Sequence, residues 1–531
     1  MRTPNWSKRS QDPLAIFLAL VVIFGLAVRV ARLFTARLWT DEVFSAAVSK
    51  ESVQDIIALT LRHDSHPPLY YIQLHFWQLI SDSDTWLLLN SVIFSFASIF
   101  SIFIVLKFLY GTREAYIGGA IFAVLPLEVI FSETLRMYCA ENVLAIWMFY
   151  IAEKLVRREG KESSNIIWFV ALGSMINLIH GFGPMVTFFI ITYTFIRLIG
   201  EKPGLDLFRK IFYAGLIVGF TTIYSVLVGS MRQTIGLSSS NISGISSELT
   251  ISLLGFNIPY PSIAGAFLVL PFLLLATFSR PSRMIMFFLF LAPTILMIFI
   301  SIVVKPVFTF RGTGLFMPFA AISLAVFFGK ISCDSPVLWR SQWRNYFAPV
   351  SLVALLLILS ATSLYNALNY RKGGFEKVSA FWAMRSKPGD AVFVNSFLSD
   401  YLGFVRYLPN AGRPTVHDVQ APPPVHWQKI FSRLGPAWVD RLHLLPNANT
   451  LTYRNRVVYP WFDSDTALRR SRFWIMQTTR SGCELPNYRV TMRETDGSYS
   501  VLLCERSSAL RNRPAPPFPG LDSGSVQGNV R

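Results

Sequence analysis

Long uncharged runs, broken by short gaps rich in lysine and arginine, form the dominant pattern of this chain. Leu14 to Val28 carries no charge, and comparable runs recur through the first 367 residues. An α-helix rises about 1.5 Å per residue, so about 20 apolar residues cross a hydrocarbon core. The pattern predicts spans near 14–34, 86–106, 115–132, 139–154, 165–180, 184–198, 210–229, 262–278, 284–304, 310–329 and 346–367, about eleven in all. The gaps alternate in kind. One set holds Lys107 and Arg113, then Lys154, Arg157, Arg158 and Lys161, then Arg197, Lys202, Arg209 and Lys210, then Arg280 and Arg283, then Lys330, Arg340 and Arg344. The intervening gaps, such as 180–183 and 234–244, carry no Lys or Arg. Basic loops stay cytoplasmic, so this alternation predicts an inside N-terminus and an outside C-terminus, N-in/C-out. The first run is followed by "VRVARLFTARLW", which lacks the small-x-small pattern of a cleaved signal.

After residue 367 the pattern changes. Residues 368–508 have ordinary polarity. Short alternating segments at 389–397, 472–479, 488–492 and 500–505 predict strands, and 375–387 predicts a helix ended by Pro388-Gly389. The expected organisation is an α-helical polytopic membrane domain over 1–367, with a long first outer loop at 35–85. A small extracytoplasmic α/β domain over 368–508 and a disordered Pro/Gly/Ser-rich tail over 509–531 follow.

Composition agrees with a membrane protein. Hydrophobic residues make up 52% and charged residues 15%, against about a quarter charged in soluble proteins. The net charge of +18 is dispersed among the gaps and forms no compact basic patch, so nucleic acid is not an expected partner. Cys483 and Cys504 both fall in the outer domain. They form a disulfide if that compartment is oxidising, or stay two buried thiols.

Candidate chemistry collects on the outer side. The first outer loop carries "TDE" at 40–42, an amphipathic stretch at 52–63 and "DSHPPLYYIQLHFW" at 64–77. Pro67 and Pro68 forbid a helix through that point and fix a turn beside His66. Tyr70, Tyr71, Phe76 and Trp77 suit a helix at headgroup level. "FSETLRMYCAEN" (131–142) supplies Glu133, Arg136, Tyr138 and Glu141, and "VVKPVFTFRGTG" (303–314) supplies Lys305 and Arg311. Cations are scarce on this face. A guanidinium fits a phosphate bidentately and a lysine serves as a point charge. The alternative is that each snorkels to lipid headgroups. Acids beside a bilayer are costly, which marks Asp41 and Glu42 as candidates for chemistry. A carboxylate base and phosphate-binding cations together suit group transfer from a lipid phosphate. His63, His75 and His180 stand singly, and no HxxxH or DxD lies beside Asp41. No cofactor is required on this reading, while a divalent ion held by Asp41 and Glu42 stays open. The sequon at Asn241 matters only in a glycosylating compartment.

"LWTDE", "DSHPPLYY", "SETLRMY" and "KPVFTFRGTGLFMP", in that order over residues 10–330, resemble bacterial GT-C glycosyltransferases. These are the enzymes related to protein O-mannosyltransferases and to lipid A aminoarabinose transferase. The similarity is greatest to the branch that adds sugars to lipopolysaccharide core or other envelope glycans. The resemblance implies a polyprenyl-phosphate-linked sugar donor, an inverting and metal-optional mechanism, and a seat in the bacterial inner membrane. The acceptor would be a hydroxyl of an envelope glycan, lipid or protein. By motif, Asp41 matches the catalytic base and Glu42 completes the paired acids. His66 matches the histidine of the His-Pro-Pro turn. Arg136 and Tyr138 match the donor-binding Arg-x-Tyr element, and Arg311 matches an arginine that the family commonly follows with tyrosine. Gly312 stands in place of that tyrosine. The competing readings are a transporter or flippase of lipid-linked sugars and a non-catalytic glycan-assembly protein. A transporter would carry midplane charges, broken helices and an internal repeat. No repeat is visible, and 86–106 and 284–304 are uncharged.

Overall fold

The computed structural model describes residues 13–63, 66–201, 205–230, 242–254, 280–304, 308–331, 341–369, 374–395, 398–409, 451–453, 456–459, 470–478, 488–496 and 499–506. The chain divides into two compact units, Met1–Arg371 and Lys372–Arg531.

The first unit is helical. Its elements are α1 Pro13–Leu33, α2 Thr40–Val48, α3 Val53–His63, α4 Leu69–Gln78, α5 Asp84–Leu109, α6 Thr112–Ala123, α7 Pro126–Ser132 and α8 Tyr138–Arg157. Then come α9 Glu162–Ile179, α10 Gly183–Glu201, α11 Leu205–Ser230, α12 Ile242–Leu254, α13 Arg280–Val303, α14 Phe310–Gly314, α15 Met317–Ile331 and α16 Ser341–Asn369. Among the described residues, six helices are long and apolar enough to cross a membrane: α1, α5, α9, α10, α13 and the Pro349–Asn369 part of α16. The bent pair α6 and α7 adds a seventh if it counts as one span. The chain is a multi-pass membrane protein. The expected spans at 139–154, 210–229 and 310–329 fall on helices, of which α8 carries Glu141, Glu153, Lys154 and Arg157 within its length. The expected span at 262–278 lies outside the described residues.

The sequence pattern reads 115–132 as one continuous span, but the chain bends there by 66° between α6 and α7. Pro126 begins α7, where its missing N–H costs nothing, and the residues before it leave the helix. The carbonyls freed by the break need donors inside the bundle. Arg29 of α1 is fully buried and supplies them, with Nη1 donating to the carbonyls of Ala123 at 2.5 Å and Gly25 at 2.8 Å. Its Nε donates to Ser95 Oγ at 2.8 Å. Ser363 Oγ donates to the Val124 carbonyl at 2.8 Å. A Cβ at Gly25 would lie 2.3 Å from the Ala123 oxygen, so only glycine permits this approach.

At the end of the bundle where α5 and α8 finish, Glu153 is the centre of a closed polar knot. Its Oε1 accepts from Tyr193 Oη at 2.6 Å and Arg197 Nη1 at 2.8 Å, and its Oε2 from Arg157 Nε at 3.2 Å. Arg157 also donates to the Leu109 carbonyl at 2.8 Å and lies over the Tyr110 ring.

Among the described residues, the second unit holds a six-stranded mixed sheet in the order β2-β3-β1-β4-β6-β5. Its strands are β1 Ala391–Asn395, β2 Leu451–Tyr453, β3 Arg456–Tyr459, β4 Arg472–Thr478, β5 Tyr488–Asp496 and β6 Tyr499–Arg506. The strands β3, β1 and β4 run parallel, with Val392 opposite Trp474, and the remaining pairs are antiparallel. Helices α17 Phe375–Arg385 and α18 Leu398–Arg406 accompany the sheet. β-branched and aromatic residues fill its central strands, with Phe393, Phe473 and Trp474 fully buried, and Trp382 of α17 is fully buried as well. Asp390 accepts from Trp474 Nε1 at 2.9 Å and Arg472 Nε at 3.1 Å, fixing the start of β4. Cys504 is buried in β6, and Cys483 lies outside the described residues.

Candidate active site

The site begins with the N-terminus of α2. Trp39 is extended, and the helix starts at Thr40. Glu42, three residues after Trp39, is fully buried and bonds backbone on both sides. Its Oε2 accepts from the Trp39 N–H at 3.0 Å, which caps the helix from within. Its Oε1 accepts from the Leu135 N–H at 2.9 Å. Glu42 therefore bolts the start of α2 to the turn 133–137 that joins α7 to α8. Arg32 of α1 holds the same turn through Glu133 at 3.1 Å.

Arg136 sits in that turn and is 6% exposed. Its Nη1 donates to Ser45 Oγ at 3.0 Å and to the Asp41 carbonyl at 3.3 Å, so it grips the α2 backbone. The Asp41 carboxylate points elsewhere. Its Oδ2 accepts from Arg311 Nη1 at 2.8 Å, with the Asp41 side chain 31% and that of Arg311 25% exposed. Among the described residues, no other side chain hydrogen-bonds this carboxylate. Arg311 belongs to α14, whose entry is fixed by Thr309 accepting from the Gly312 N–H and by Glu248 Oε2 accepting from the Phe310 N–H at 2.6 Å. Its guanidinium lies 5.1 Å from the Trp39 ring centre and 5.7 Å from that of Phe310, a cation held between two aromatic faces. Gly312 is packed against Met297, whose sulfur would lie 3.0 Å from an added Cβ.

His66 precedes Pro67 and Pro68, and Pro68 (φ −75°) leads into α4. The His66 ring stacks on His180 at 5.1 Å and 11°, and its Nδ1 accepts from the Gly181 N–H at 3.4 Å. Burial, together with the positive charges of Arg136 and Arg311 and the neighbouring His180, holds the His66 pKa well below the ordinary imidazole range. His180 is the centre of this group. Its Nδ1 lies 2.6 Å from Glu141 Oε2, and its ring meets the rings of Tyr138 at 5.5 Å and Phe182 at 5.7 Å. Tyr138 stacks in turn on Phe131 at 4.4 Å.

Asp41, Glu42, His66, Pro67, Pro68, Arg136, Tyr138 and Arg311 thus converge on one end of the bundle. Lys305 lies outside the described residues. The Glu141–His180 pair escaped the sequence reading as a unit, because 39 positions separate its members. The available signal was helical: Glu141 follows Tyr138 by three residues and shares its face. Tyr70 and Tyr71, expected among headgroups, are instead buried at 1% and 0% exposure, and Tyr71 Oη faces Arg136 at 3.5 Å. Phe76 is the exposed aromatic of that helix, and Trp77 stacks on Trp86 at 4.5 Å. Among the described residues, no three His, Cys, Asp or Glu side chains converge as a metal-ligand set.

The arrangement presents a partly exposed carboxylate able to accept a proton and, beside it, a guanidinium with N–H groups to spare for an anion. No protein-family model matches the chain, and no curated protein matches it. Two crystal structures of ArnT from Cupriavidus metallidurans do resemble it. The one bound to undecaprenyl phosphate is 14% identical, with 92% of this chain and 98% of that chain covered at a TM-score of 0.53. The apo form is 12% identical, with 92% and 97% covered at a TM-score of 0.55. ArnT, a lipid A aminoarabinose transferase, has the GT-C fold of membrane glycosyltransferases, and this chain has the same fold.

Proposed function

We propose that this protein is a membrane glycosyltransferase that moves a sugar from a polyprenyl-phosphate donor to a hydroxyl of an envelope glycan, lipid or protein. The observation that carries the reading is the open Asp41–Arg311 pair at one end of the helical bundle. Asp41 acts as general base on the acceptor hydroxyl. Arg311 receives the phosphate and stabilises the charge that grows on it. Arg136 and Glu42 position these groups, since each bonds the scaffold and is buried, and the buried Glu141–His180 pair backs the ring of His66. His66 and Tyr138 wall the site, and Lys305 is a further candidate for the phosphate. The ArnT structure with undecaprenyl phosphate supports a lipid-phosphate ligand for this fold.

The site faces the extracytoplasmic side of a bacterial inner membrane in this reading, with the second unit also outside. The basic gaps support it. Arg157 reaches the carbonyl of Leu109, and Arg197 meets Arg157 on Glu153, so three of these gaps gather at the end of the helices away from Asp41.

Profiling envelope lipids and glycans in a strain lacking the chain tests the proposal. One sugar should be missing and should return with the wild-type chain but not with an Asp41→Asn chain. A complete set of envelope sugars in the deletion strain would remove the proposal.

A further inference from the structure

We propose that Asp41 and the donor phosphate compete for a single guanidinium, so that the lipid phosphate draws Arg311 away from Asp41 and thereby frees the base. The inference rests on the glycosyltransferase reading above and adds an order of events to it: donor first, acceptor deprotonation second.

The geometry poses the problem that this exchange solves. Arg311 Nη1 lies 2.8 Å from Asp41 Oδ2, so a charge-assisted hydrogen bond occupies one of the two carboxylate oxygens and sets a positive charge against the arrival of a proton. A base held this way is blunted while the site is empty. The cation cannot simply be replaced by Arg136, which is buried and tied to Ser45 Oγ and the Asp41 carbonyl. Arg311 is built for movement. Its partner is partly exposed, as it is itself, so exchange unpacks no core. The rings of Trp39 and Phe310 flank its charge and hold it in the site after Asp41 lets go. A phosphate oxygen pair matches the guanidinium fork, whereas the bond to Asp41 uses one N–H.

The chemistry then balances. The Asp41 carboxylate takes the proton of the acceptor hydroxyl. That oxygen forms its bond to the anomeric carbon, and the bond from that carbon to the phosphate oxygen breaks. The electron pair leaves on the polyprenyl phosphate, which gains one negative charge beside Arg311. Asp41, now a neutral acid, has no hold on Arg311 until it loses the proton, so the guanidinium stays with the leaving lipid through the step.

Binding of undecaprenyl phosphate alone tests this, with the full chain in lipid nanodiscs and no acceptor present. Asp41→Asn should bind the lipid about fivefold more tightly than wild type, as expected for removing a competitor worth one partly exposed ion pair. Asp41→Ala should do the same without any hydrogen-bonding side chain. Arg311→Gln should bind more weakly, and adding Asp41→Asn to it should restore nothing. Wild-type or weaker affinity in both Asp41 variants would overturn the exchange. Equal tightening with and without Arg311 would also overturn it, because that result is general charge repulsion. Absence of saturable binding to the wild-type chain would overturn the donor assignment itself, whereas binding indifferent to Asp41 overturns only the exchange.

Discussion

Two acid–guanidinium groups mark opposite ends of the helical bundle, and they are built on different principles. The difference lies in the carboxylates, since Arg157 on Glu153 is about as exposed as Arg311 on Asp41. The Glu153 carboxylate is buried, both oxygens are bonded, and its arginines pack on tyrosine rings. Around Asp41 the carboxylate is partly exposed, and among the described residues it has one side-chain partner, itself partly exposed. A buried, saturated carboxylate holds helices together and has nothing left with which to bind. An open pair contributes little to stability, because solvent screens it, and keeps its bonds available for a ligand. The contrast teaches that location and saturation, more than the presence of charge near a membrane, separate scaffold from chemistry.

The sharpest break in the comparison comes from Asp41→Asn. Asparagine matches the size of the acid but takes no proton, so turnover should fall by about 10²–10⁴-fold. The folded protein and its lipid binding should persist. Transfer from a labelled polyprenyl-phosphate sugar in membrane vesicles measures this, and wild-type turnover would mean that another group is the base. Glu153→Ala should act in the opposite sense. Removing the acid leaves Arg157 and Arg197 without their shared partner, at a cost of about 3–5 kcal/mol. Thermal unfolding in detergent should show the loss, while turnover per folded molecule stays at wild type. A turnover defect like that of Asp41 would erase the distinction between the two ends.

Glu42→Gln probes the boundary within the site. The amide keeps an acceptor for one of the two backbone N–H groups, and the expected loss is about 1–3 kcal/mol of stability with partial turnover retained. Abolished turnover in a fully stable protein would instead make Glu42 a partner of Asp41 in the chemistry.

The smallest effect is in pH. The folded state holds the His66 pKa below its ordinary value, so the unfolded chain binds a proton that the folded chain refuses. Stability from this source is complete above the ordinary imidazole pKa and is lost as pH falls below it. His66→Gln should therefore flatten the decline in unfolding temperature below about pH 6.5. An unchanged slope would assign the acid sensitivity to other groups.

Much of the site is legible in the sequence because its residues sit in short segments between apolar runs, where each charge is conspicuous. Asp41, Arg136 and Arg311 are conspicuous in the segments that the charge pattern assigns to one side, and all three meet. Roles were harder to read than positions. Asp41 and Glu42 are adjacent, yet one carboxylate opens to the surface and the other closes on backbone N–H groups. That divergence depends on helix phase and on Leu135, 93 residues away. Tyr70 and Tyr71 carry the composition of an interfacial belt but are buried: the Tyr71 hydroxyl faces Arg136, whereas the Tyr70 hydroxyl has no hydrogen-bond partner among the described residues. Hydropathy averaged over 115–132 conceals the bend at Pro126, because apolar residues run through both sides of it. The fold of the second unit was visible where strands alternate, as at 472–479, but the order of its sheet depends on pairings between distant segments.

Arg29 also has a bearing on biogenesis. An arginine near the middle of a spanning helix costs about 3 kcal/mol on insertion scales. Its carbonyl acceptor at Ala123 is synthesised 94 residues later. The first helix therefore leaves the insertion machinery unfinished, with a polar group waiting for a segment that does not yet exist. A nascent chain halted before the break at 123 should hold this helix weakly in the bilayer, and one extended past α7 should lock it.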